Sequence, residues 1–371
     1  MATQAPEEDY TIANPDVVTK YKVAGDISGK VLANVKALAV AGAKIIDLVT
    51  EGDRQLTEET SKVYKGKKIA KGIAFPTSVS PNAVVAHLSP MPQDPEAEQT
   101  LKEGDVVKIT LGAQIDGFAS VVADTIVVGG PKAASAQAAD AIAAAWYASE
   151  AALRTIRPGN KNWDVTKVVD KVVKEFGCSA LEGMLSQEQT RNVVDGKKRI
   201  ILNPTEGQRK DFETVTFEQG EVYGVDILVT PGDGKVKSGE TATTVFKKND
   251  ITYQLKLKTS RMILSEVQKK AGTFPFSLRS LDDAKRARMG LQECTNHGLV
   301  TPYEVLYDKE GLPVIQFFTT IAVTANGNLK LAGAPTPELT SEKKIADQDV
   351  LDLLSKPLKT NKKKKKAAKA E

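Results

Sequence analysis

Two stretches of the sequence, FPTSVSPNAVVAHLSP (Phe75–Pro90) and GDVVKITLGAQIDGF (Gly104–Phe118), determine the fold that the chain adopts. The second stretch contains a β-branched run at 106–111, and another such run covers 119–128. Runs of this kind bounded by Gly or Pro are typical of strands. Asp116-Gly117 stands between them, and Asp-Gly is a strong signal for a two-residue hairpin turn. The sequence therefore predicts a β-hairpin across Asp116-Gly117.

The same pattern occurs a second time further along the chain. Gly104–Thr110 aligns with Gly220–Asp226 at a shift of 116 residues, and Gly42–Asp47 aligns with Gly159–Asp164 at a shift of 117. The run at 222–229 is β-branched like its counterpart at 106–111. Internal similarity at a constant shift indicates a duplicated structural unit. We therefore expect two related halves, each with helices followed by strands.

Helix signals precede the strands in both halves. In the first half, Val31, Val35 and Leu38 share one face of a helix, and a second helix begins near Ile45. In the second half, the alanine-rich run 133–157 is a strong helix former that stops at Pro158-Gly159. A further helix is predicted over 164–176 with Asp164 as its N-cap. Together with the strands, these helices indicate the α/β (α+β) class.

A basic segment at 238–297 interrupts the second half. Helical patterns cover 261–270 and 281–293, and Gly272 and Pro275 separate them. Runs at 305–307 and 314–323 would then return to the sheet. The predicted organisation is an α/β domain of residues 1–237 and 298–355, a helical insertion at 238–297, and a lysine-rich tail at 356–371.

Charge is distributed unevenly among these three parts. The insertion carries +5 and the tail +7, whereas the whole chain carries only +4, so the α/β domain carries −8. The five consecutive lysines Lys362–Lys366 repel one another and bury nothing apolar, which predicts a disordered tail. The sequence therefore describes an acidic domain with two basic appendages.

Composition sets the expected compartment and excludes a membrane protein. The chain is 41% hydrophobic and 26% charged, as is usual for a soluble globular protein. Its N-terminus, MATQAPEEDY, lacks the basic and apolar regions of a signal peptide. No apolar run approaches the roughly 18 residues that a membrane span needs. Cys178 and Cys294 are far apart and lack CxxC spacing, which favours a reduced, intracellular protein.

Several ordered motifs carry a resemblance to one protein family. The chain resembles the type 2 methionine aminopeptidases of peptidase family M24, and more closely their non-peptidase homologues, the proliferation-associated or ErbB-receptor-binding proteins with a fungal curved DNA-binding relative. The resemblance implies a pita-bread fold with two pseudo-symmetric halves and a helical insertion. The matching segments are IANPDVVTKYKVAG (12–25), FPTSVSPN (75–82), EGML (182–185), GEVYGVDILV (220–229) and FPFSLRSLDDAKRARMGLQEC (274–294).

The resemblance also implies a two-metal site, because active relatives hold two divalent ions with two Asp, one His and two Glu. The corresponding positions in this chain are Thr110, Val121, Met184, Asp226 and Phe318. Only Asp226 retains a good ligand, so we expect no metal, no cofactor and no peptidase activity. His87 stands where the relatives place a substrate-contacting histidine. The simpler alternative is a hydrogen-bonded histidine at a strand end.

The basic residues of the insertion and tail are the candidate nucleic-acid site. If Lys256 and Lys258 share a strand, they point to one face, and Lys285 and Arg288 share a helical face. Concentrated Lys and Arg gain affinity for phosphates by releasing counterions. The alternative is a solvated surface without a ligand. The full set is Lys247, Lys248, Lys256, Lys258, Arg261, Lys269, Lys270, Arg279, Lys285, Arg286 and Arg288, followed by Lys362, Lys363, Lys364, Lys365 and Lys366.

The resemblance implies a non-enzymatic function on the large ribosomal subunit. Its members are expected to contact ribosomal RNA near the nascent-chain exit, to act in translation and growth, and to shuttle between the cytoplasm and the nucleus. For the lysine-rich tail, three roles stay open: a nuclear address, a nucleolar address, or a non-specific RNA clamp. Binding of curved or structured DNA is the main alternative, and a residual metallo-aminopeptidase is a second. A third is an emptied cleft that holds a nascent peptide without cutting it. No membrane partner is expected.

Overall fold

The structure, a computed structural model, describes residues 9–360. No helix within this range combines the length and apolar character that a membrane span needs. The helices are α1 Pro15–Leu38, α2 Ile45–Lys62, α3 Ala136–Thr155, α4 Asn162–Glu175, α5 Glu206–Asp211, α6 Lys258–Lys270, α7 Ala284–Asn296 and α8 Gln348–Ser355.

Most of the strands form one large sheet, in the order β1-β2-β3-β13-β7-β5-β6, with β14 beside β13 and β4 beside β7. The pairs in this sheet are antiparallel. The strands are β1 Lys71–Pro81, β2 Val106–Ile115, β3 Phe118–Val127, β4 Ser179–Ala180, β5 Leu185–Gln189, β6 Arg199–Ile201, β7 Val222–Thr230, β8 Lys237–Ser238, β9 Val245–Lys248, β10 Phe276–Ser277, β11 Val300–Tyr303, β12 Leu306–Tyr307, β13 Ile315–Thr324 and β14 Gly327–Ala332.

The hairpin predicted at Asp116-Gly117 is confirmed. Strands β2 and β3 pair without interruption from Val106 opposite Val127 to Ile115 opposite Phe118. Asp116 and Gly117 have φ angles of 54° and 84°. Both angles lie in the left-handed region, as a two-residue turn between twisted strands requires.

The two halves pack their helices on the sheet in the same way. Helices α1 and α2 cover β1, β2 and β3, whereas α3 packs on β7 and β13 and α4 packs against α3. Each half has its own apolar core, with Val31, Val35 and Ile109 in the first and Val169, Val225 and Ile227 in the second. These cores lie under the helices, so the opposite face of the sheet is left to form a cleft.

Helix starts follow local capping, with one correction. Asn14 accepts a hydrogen bond from the Asp16 N–H, and Pro15 occupies the first turn of α1. The prediction that Asp164 caps α4 is wrong, because the helix already begins at Asn162. Asp164 instead lies in the first turn, where its carboxylate accepts the backbone N–H of Lys161 at 2.8 Å.

The segment 238–297 is not purely helical. Strands β9 and β10 pair with each other, and β11 pairs with β9, in a separate three-stranded sheet beside α6 and α7. The predicted strand carrying Lys256 and Lys258 is absent, since 251–257 forms no strand and Lys258 begins α6. The run at 305–307 also misses the large sheet, because β12 pairs with β8 in a separate two-stranded sheet.

The residues that follow α8 are tied to the turn between β13 and β14. Leu358 accepts the N–H of Asn328 at 2.9 Å, and Thr360 donates its N–H to the carbonyl of Asn326 at 2.8 Å. The predicted tail begins at Lys356, but residues 358–360 are therefore attached to the α/β domain. Lys362–Lys366 lie outside the described residues.

Candidate functional site

Four of the strands place one residue each in a row across the floor of the cleft. Thr110 on β2 lies opposite Ala123 on β3, Ala123 lies opposite Phe318 on β13, and Phe318 lies opposite Asp226 on β7. Thr110 and Asp226 are the equivalent positions of the two halves predicted from the repeat. The fold therefore brings three of the five expected ligand positions into register.

Gln316 on β13 bridges Thr110 and Asp226. The Thr110 hydroxyl donates to its Oε1 at 3.0 Å, and its Nε2 donates to the two carboxylate oxygens of Asp226 at 2.9 and 3.1 Å. Burial raises the pKa of Asp226 to about 7, although the Gln316 amide works in the opposite direction. The carboxylate is thus only partly exposed and is already hydrogen-bonded to an amide donor.

Apolar side chains occupy the remaining expected ligand positions. Val121 and Phe318 pack in one cluster with Phe75, and Met184 packs beside Leu181 and other buried residues. Phe318 fits against β7 because residue 224 is glycine. A Cβ at Gly224 would lie only 2.6 Å from the Phe318 ring. Two positions that could have carried carboxylates instead extend the hydrophobic core.

His87 lies at the edge of the cleft in an aromatic environment. Its ring centroid is 5.1 Å from that of Tyr303 and 5.9 Å from that of Phe75. Its Nδ1–H donates to the carbonyl of Glu304 at 3.2 Å. Burial lowers the pKa of His87 to about 4, so the ring is neutral near pH 7. These contacts fit the structural alternative for His87, a hydrogen-bonded ring packed at the end of a strand.

Three basic side chains of the insertion face the α/β domain and pair with its acids. Lys247 lies 3.0 Å from Asp195, Arg279 lies 2.6 Å from Asp53, and Arg288 lies 2.9 Å from Asp94. Arg279 also donates to the carbonyls of Ser89 and Pro90, and its side chain is only 10% exposed. We call these three ion pairs the anchor pairs. Their cations belong to the set that the sequence predicts to contact nucleic acid.

Other basic side chains of the insertion remain exposed around α6. One recess is lined by Lys258, Arg261, Lys269, Lys270 and Arg286 with three acids, and a neighbouring recess is lined by Lys248, Tyr253 and Arg261. Lys270 pairs with Glu266 and Asp282, and Arg286 lies 3.8 Å from Asp283. The other four basic residues form no ion pair with any residue from 9 to 360. We call Lys248, Tyr253, Lys258, Arg261, Lys269 and Arg286 together the α6 face.

The remaining predicted residues, Lys256 and Lys285, are exposed but line neither recess. Their side chains form no ion pair with any part of the chain that the structure describes. The structure thus divides the predicted basic residues of the insertion into anchor pairs, an α6 face, two isolated surface lysines, and Lys270, which is paired within the insertion with Glu266 and Asp282.

Sequence patterns gave little warning of the apolar residues exposed on the insertion. Tyr253 is 39% exposed and stacks on the His297 ring at 3.8 Å, and Met262 on α6 is 50% exposed. The alternation of Ile251, Tyr253 and Leu255 resembles a half-buried strand, yet only Leu255 is buried. Gln316 was likewise unexpected, although its place two residues before Phe318 puts it on the cleft side of β13.

Comparison with known sequences establishes the family. The sequence model of metallopeptidase family M24 matches residues 19–241. The chain belongs to this family. It is 52% identical to the curved DNA-binding protein of Schizosaccharomyces pombe, over 99% of this chain and 97% of that protein. It is also 42% identical to ERBB-3 binding protein 1 of Arabidopsis thaliana, over 98% of this chain and 93% of that protein.

A solved structure supports the same assignment within family M24. A thermophilic Arx1 matches with a TM-score of 0.88 and 39% sequence identity, covering 94% of this chain and 100% of the Arx1 chain. The pita-bread fold and the relationship to curved DNA-binding and ErbB-receptor-binding proteins expected from the sequence motifs are therefore confirmed.

The family name implies a metal centre, but the residues present do not fit one. Val121 and Phe318 have no lone pair, Met184 is a poor ligand for a hard cation, and Thr110 offers only a neutral hydroxyl. Amide hydrogens of Gln316 point at both oxygens of Asp226, where a cation would have to bind. Within the described residues, His, Cys, Asp and Glu side chains form no group of three or more that could hold a metal.

Proposed function

We propose that this chain is a non-enzymatic member of family M24 that binds structured ribosomal RNA of the large subunit near the nascent-chain exit. The observation that carries the proposal is the positive charge of the α6 face beside an acidic α/β domain. Four of its five cations, Lys248, Lys258, Arg261 and Lys269, form no ion pair with residues 9–360. This function is the one that the sequence resemblance implies, and we assign it to the α6 face.

The chemistry of the cleft favours a non-enzymatic role. Hydrolysis of a peptide bond by this family's route requires several ligands that hold two cations and activate water. Of the five expected ligand positions, only Asp226 carries a carboxylate, and Gln316 donates to both of its oxygens. Burial lowers the pKa of His87, which makes its imidazole a weak base, and the ring forms no ion pair with any residue from 9 to 360. We therefore expect no turnover of peptide substrates.

The α6 face has exposed positive charge of the kind that binds RNA phosphates. Lys258, Lys269 and Arg261 are exposed and have no carboxylate partner within residues 9–360. Each such cation that neutralises a phosphate releases a counterion and adds to affinity. Tyr253 adds an exposed ring on which an unpaired base could stack. Double-stranded RNA is recognised mainly through phosphates and shape, for which a basic surface is sufficient.

Co-sedimentation with purified large ribosomal subunits tests this proposal. Wild-type protein should sediment with the subunits at low salt. A variant carrying K258E, R261E, K269E and R286E should lose about 100-fold or more in affinity, because attraction to phosphates becomes repulsion. The control variant reverses four exposed lysines of the α/β domain that lack an ion pair among residues 9–360, Lys102, Lys132, Lys167 and Lys174. Equal losses in both variants, or none in the first, would contradict the assignment.

DNA is the alternative ligand, and the name of the Schizosaccharomyces pombe relative supports it. The same cations would serve curved DNA, since phosphate contacts carry no sequence information. Competition between a large-subunit RNA fragment and curved duplex DNA, at one salt concentration, distinguishes the two. We expect RNA to displace DNA, and a clear preference for DNA would replace the ribosomal proposal.

We also propose that the protein occurs in both cytoplasm and nucleus, including the nucleolus, with Lys362–Lys366 as part of the nuclear address. Imaging of the full chain with these five lysines changed to glutamine tests this. Nuclear signal should fall relative to wild type, and an unchanged distribution would refute the role of the tail.

A further inference from the structure

A recess of about 570 Å³ lies away from both the cleft and the α6 face, at one end of the large sheet. Its walls come from the N-terminal segment 10–13, α1, the end of β5, the loop before β7 and the end of β13. Three carboxylates, Glu188, Glu218 and Glu221, line it against one ammonium group, that of Lys198. Lys198 pairs closely with Glu221 and more distantly, at 3.6 Å, with Glu218. The charge of Lys198 also acts to lower the pKa of Glu188, but within residues 9–360 no lysine or arginine forms an ion pair with Glu188.

One buried polar atom of this recess lacks a partner within residues 9–360. Gln189 is 3% exposed, and its Oε1 has no hydrogen bond. The Tyr21 side chain, 2% exposed, lines the recess beside it. Unsatisfied buried acceptors are uncommon because each costs free energy. Burial and the charge of Glu221 also raise the pKa of Glu188. These groups together favour a ligand that brings positive charge and N–H donors.

A lysine side chain matches this arrangement. An ammonium group has three N–H donors and no acceptor. Glu188, the Gln189 carbonyl and the Tyr21 hydroxyl oxygen can supply three acceptors. Arg191, whose guanidinium stacks over the Tyr10 ring at 4.2 Å, is already paired with Asp116 at 2.7 Å.

The last described residue, Thr360, lies at this end of the sheet, and Lys362–Lys366 begin two residues after it in the sequence. Val323 and Thr324 at the end of β13 line the recess, and Thr360 is hydrogen-bonded to Asn326 only two residues beyond. Residues 361–366 can extend by at most about 20 Å from Thr360, which is enough to cover a recess that begins next to this turn. The tail is the most concentrated positive charge in the sequence, and the recess needs a cation.

We propose that the recess is an ammonium-binding site whose occupant is one of the lysines Lys362–Lys366 of the same chain. The docked tail places one side chain against Glu188 and Gln189 while its neighbours lie over Glu218 and Glu221. Lysines held in this way are withheld from phosphates, so the tail becomes available to RNA only when it leaves the recess. The docking does not depend on the proposed ribosomal function.

Zero-length carbodiimide crosslinking of the full chain tests this site, because it joins only amines and carboxylates that touch. The sample is an equal mixture of ¹⁴N and ¹⁵N protein at low salt, mapped by mass spectrometry. We expect links from Lys362–Lys366 to Glu188 or Glu218, each within a single isotope. Links with mixed isotopes would show a second copy as the occupant and overturn the intramolecular site. Links spread evenly over exposed acids, or no links to the recess, would overturn the site itself.

Two full-length variants make the outcome specific. The double variant E188Q/E218Q removes the carboxylates that carbodiimide would activate, so crosslinking cannot report on it. The measurement is instead the reactivity of Lys362–Lys366 toward an amine-labelling reagent. This reactivity should rise, because the lysines are released from the recess. The matched control, E310Q with E342Q, changes two exposed acids outside the recess and should leave the reactivity unchanged. Equal reactivity in wild type and E188Q/E218Q would refute docking.

Discussion

The cleft and the α6 face differ in whether their polar side chains have partners within the protein. In the cleft, Thr110, Gln316 and Asp226 satisfy one another at distances of 2.9 to 3.1 Å, and Val121 and Phe318 fill the space between strands. On the α6 face, Lys258 and Lys269 extend into solvent without a carboxylate partner among residues 9–360. A site whose polar groups are internally satisfied has little to gain from a ligand, whereas an unneutralised surface gains from any phosphate that approaches.

The anchor pairs show that positive charge alone does not distinguish the two roles. Arg279 and Lys258 belong to the same insertion and carry the same charge. Arg279 is buried against Asp53 and the carbonyls of Ser89 and Pro90, so it holds the insertion on the α/β domain. Lys258 at the start of α6 is exposed and lines a recess. We therefore expect one to affect stability and the other to affect binding.

The largest effect on stability should come from Arg279→Ala. Removal of one partner leaves Asp53 partly buried and unpaired, which typically costs about 3 kcal/mol. Chemical denaturation should show this loss, while the slope of log affinity for RNA against log salt stays unchanged. The matched control, Lys258→Ala, should change the unfolding free energy by less than about 0.5 kcal/mol. If Arg279→Ala lowered the salt slope, the separation of anchors from ligand contacts would fail.

Asp226→Asn should change how stability depends on pH. The pKa of Asp226 is about 7 in the folded chain, above the ordinary value of 3.8, so the folded state binds the proton more tightly. Stability from this group is therefore present at low pH and is lost as pH rises from about 4 to about 7. As pH rises across that interval, the unfolding free energy of Asp226→Asn should increase by about 2–4 kcal/mol relative to that of wild type. Above about pH 7 the difference should stay constant.

His87 gives the free energy of unfolding a pH dependence of the opposite sign. Its folded pKa of about 4 lies below the ordinary 6.5, so its contribution is lost as pH falls through that range. Wild type and Asp226→Asn share this contribution, so it cancels when one unfolding free energy is subtracted from the other. Unfolding titrations of wild type and Asp226→Asn at several pH values provide the measurement. A constant difference between pH 4 and 8 would show that the pKa of Asp226 is not raised in the folded chain.

The smallest expected effect belongs to a single cation of the α6 face. Lys258→Gln should weaken RNA binding modestly and reduce the salt slope by about 0.9, the value for one phosphate contact. Lys167→Gln on α4 is the control and should leave the slope unaltered. A slope unchanged in Lys258→Gln would remove this residue from the interface, while leaving the other cations to be tested.

Local signals in the sequence were sufficient for much of the fold and for the identity of the cleft positions. Asp116-Gly117 predicted its hairpin because the turn chemistry is local, and the repeat placed Thr110 and Asp226 in equivalent strands. The role of Gln316 was not predictable, since it depends on how β13 lies between β3 and β7. The ion pair of Arg279 was not predictable either, because its partner, Asp53, lies 226 residues away in sequence. Positive charge is visible in a sequence, but neutralisation depends on tertiary contacts.

The most direct test is crosslinking of the full chain to RNA in cells, with the crosslinked residues mapped on the protein. If function lies on the insertion, crosslinks to large-subunit RNA should concentrate on residues 248–269 and around Arg286, and the K258E/R261E/K269E/R286E variant should lose them. Crosslinks confined to the cleft around Asp226 and His87, or recovery of DNA in place of ribosomal RNA, would contradict the account.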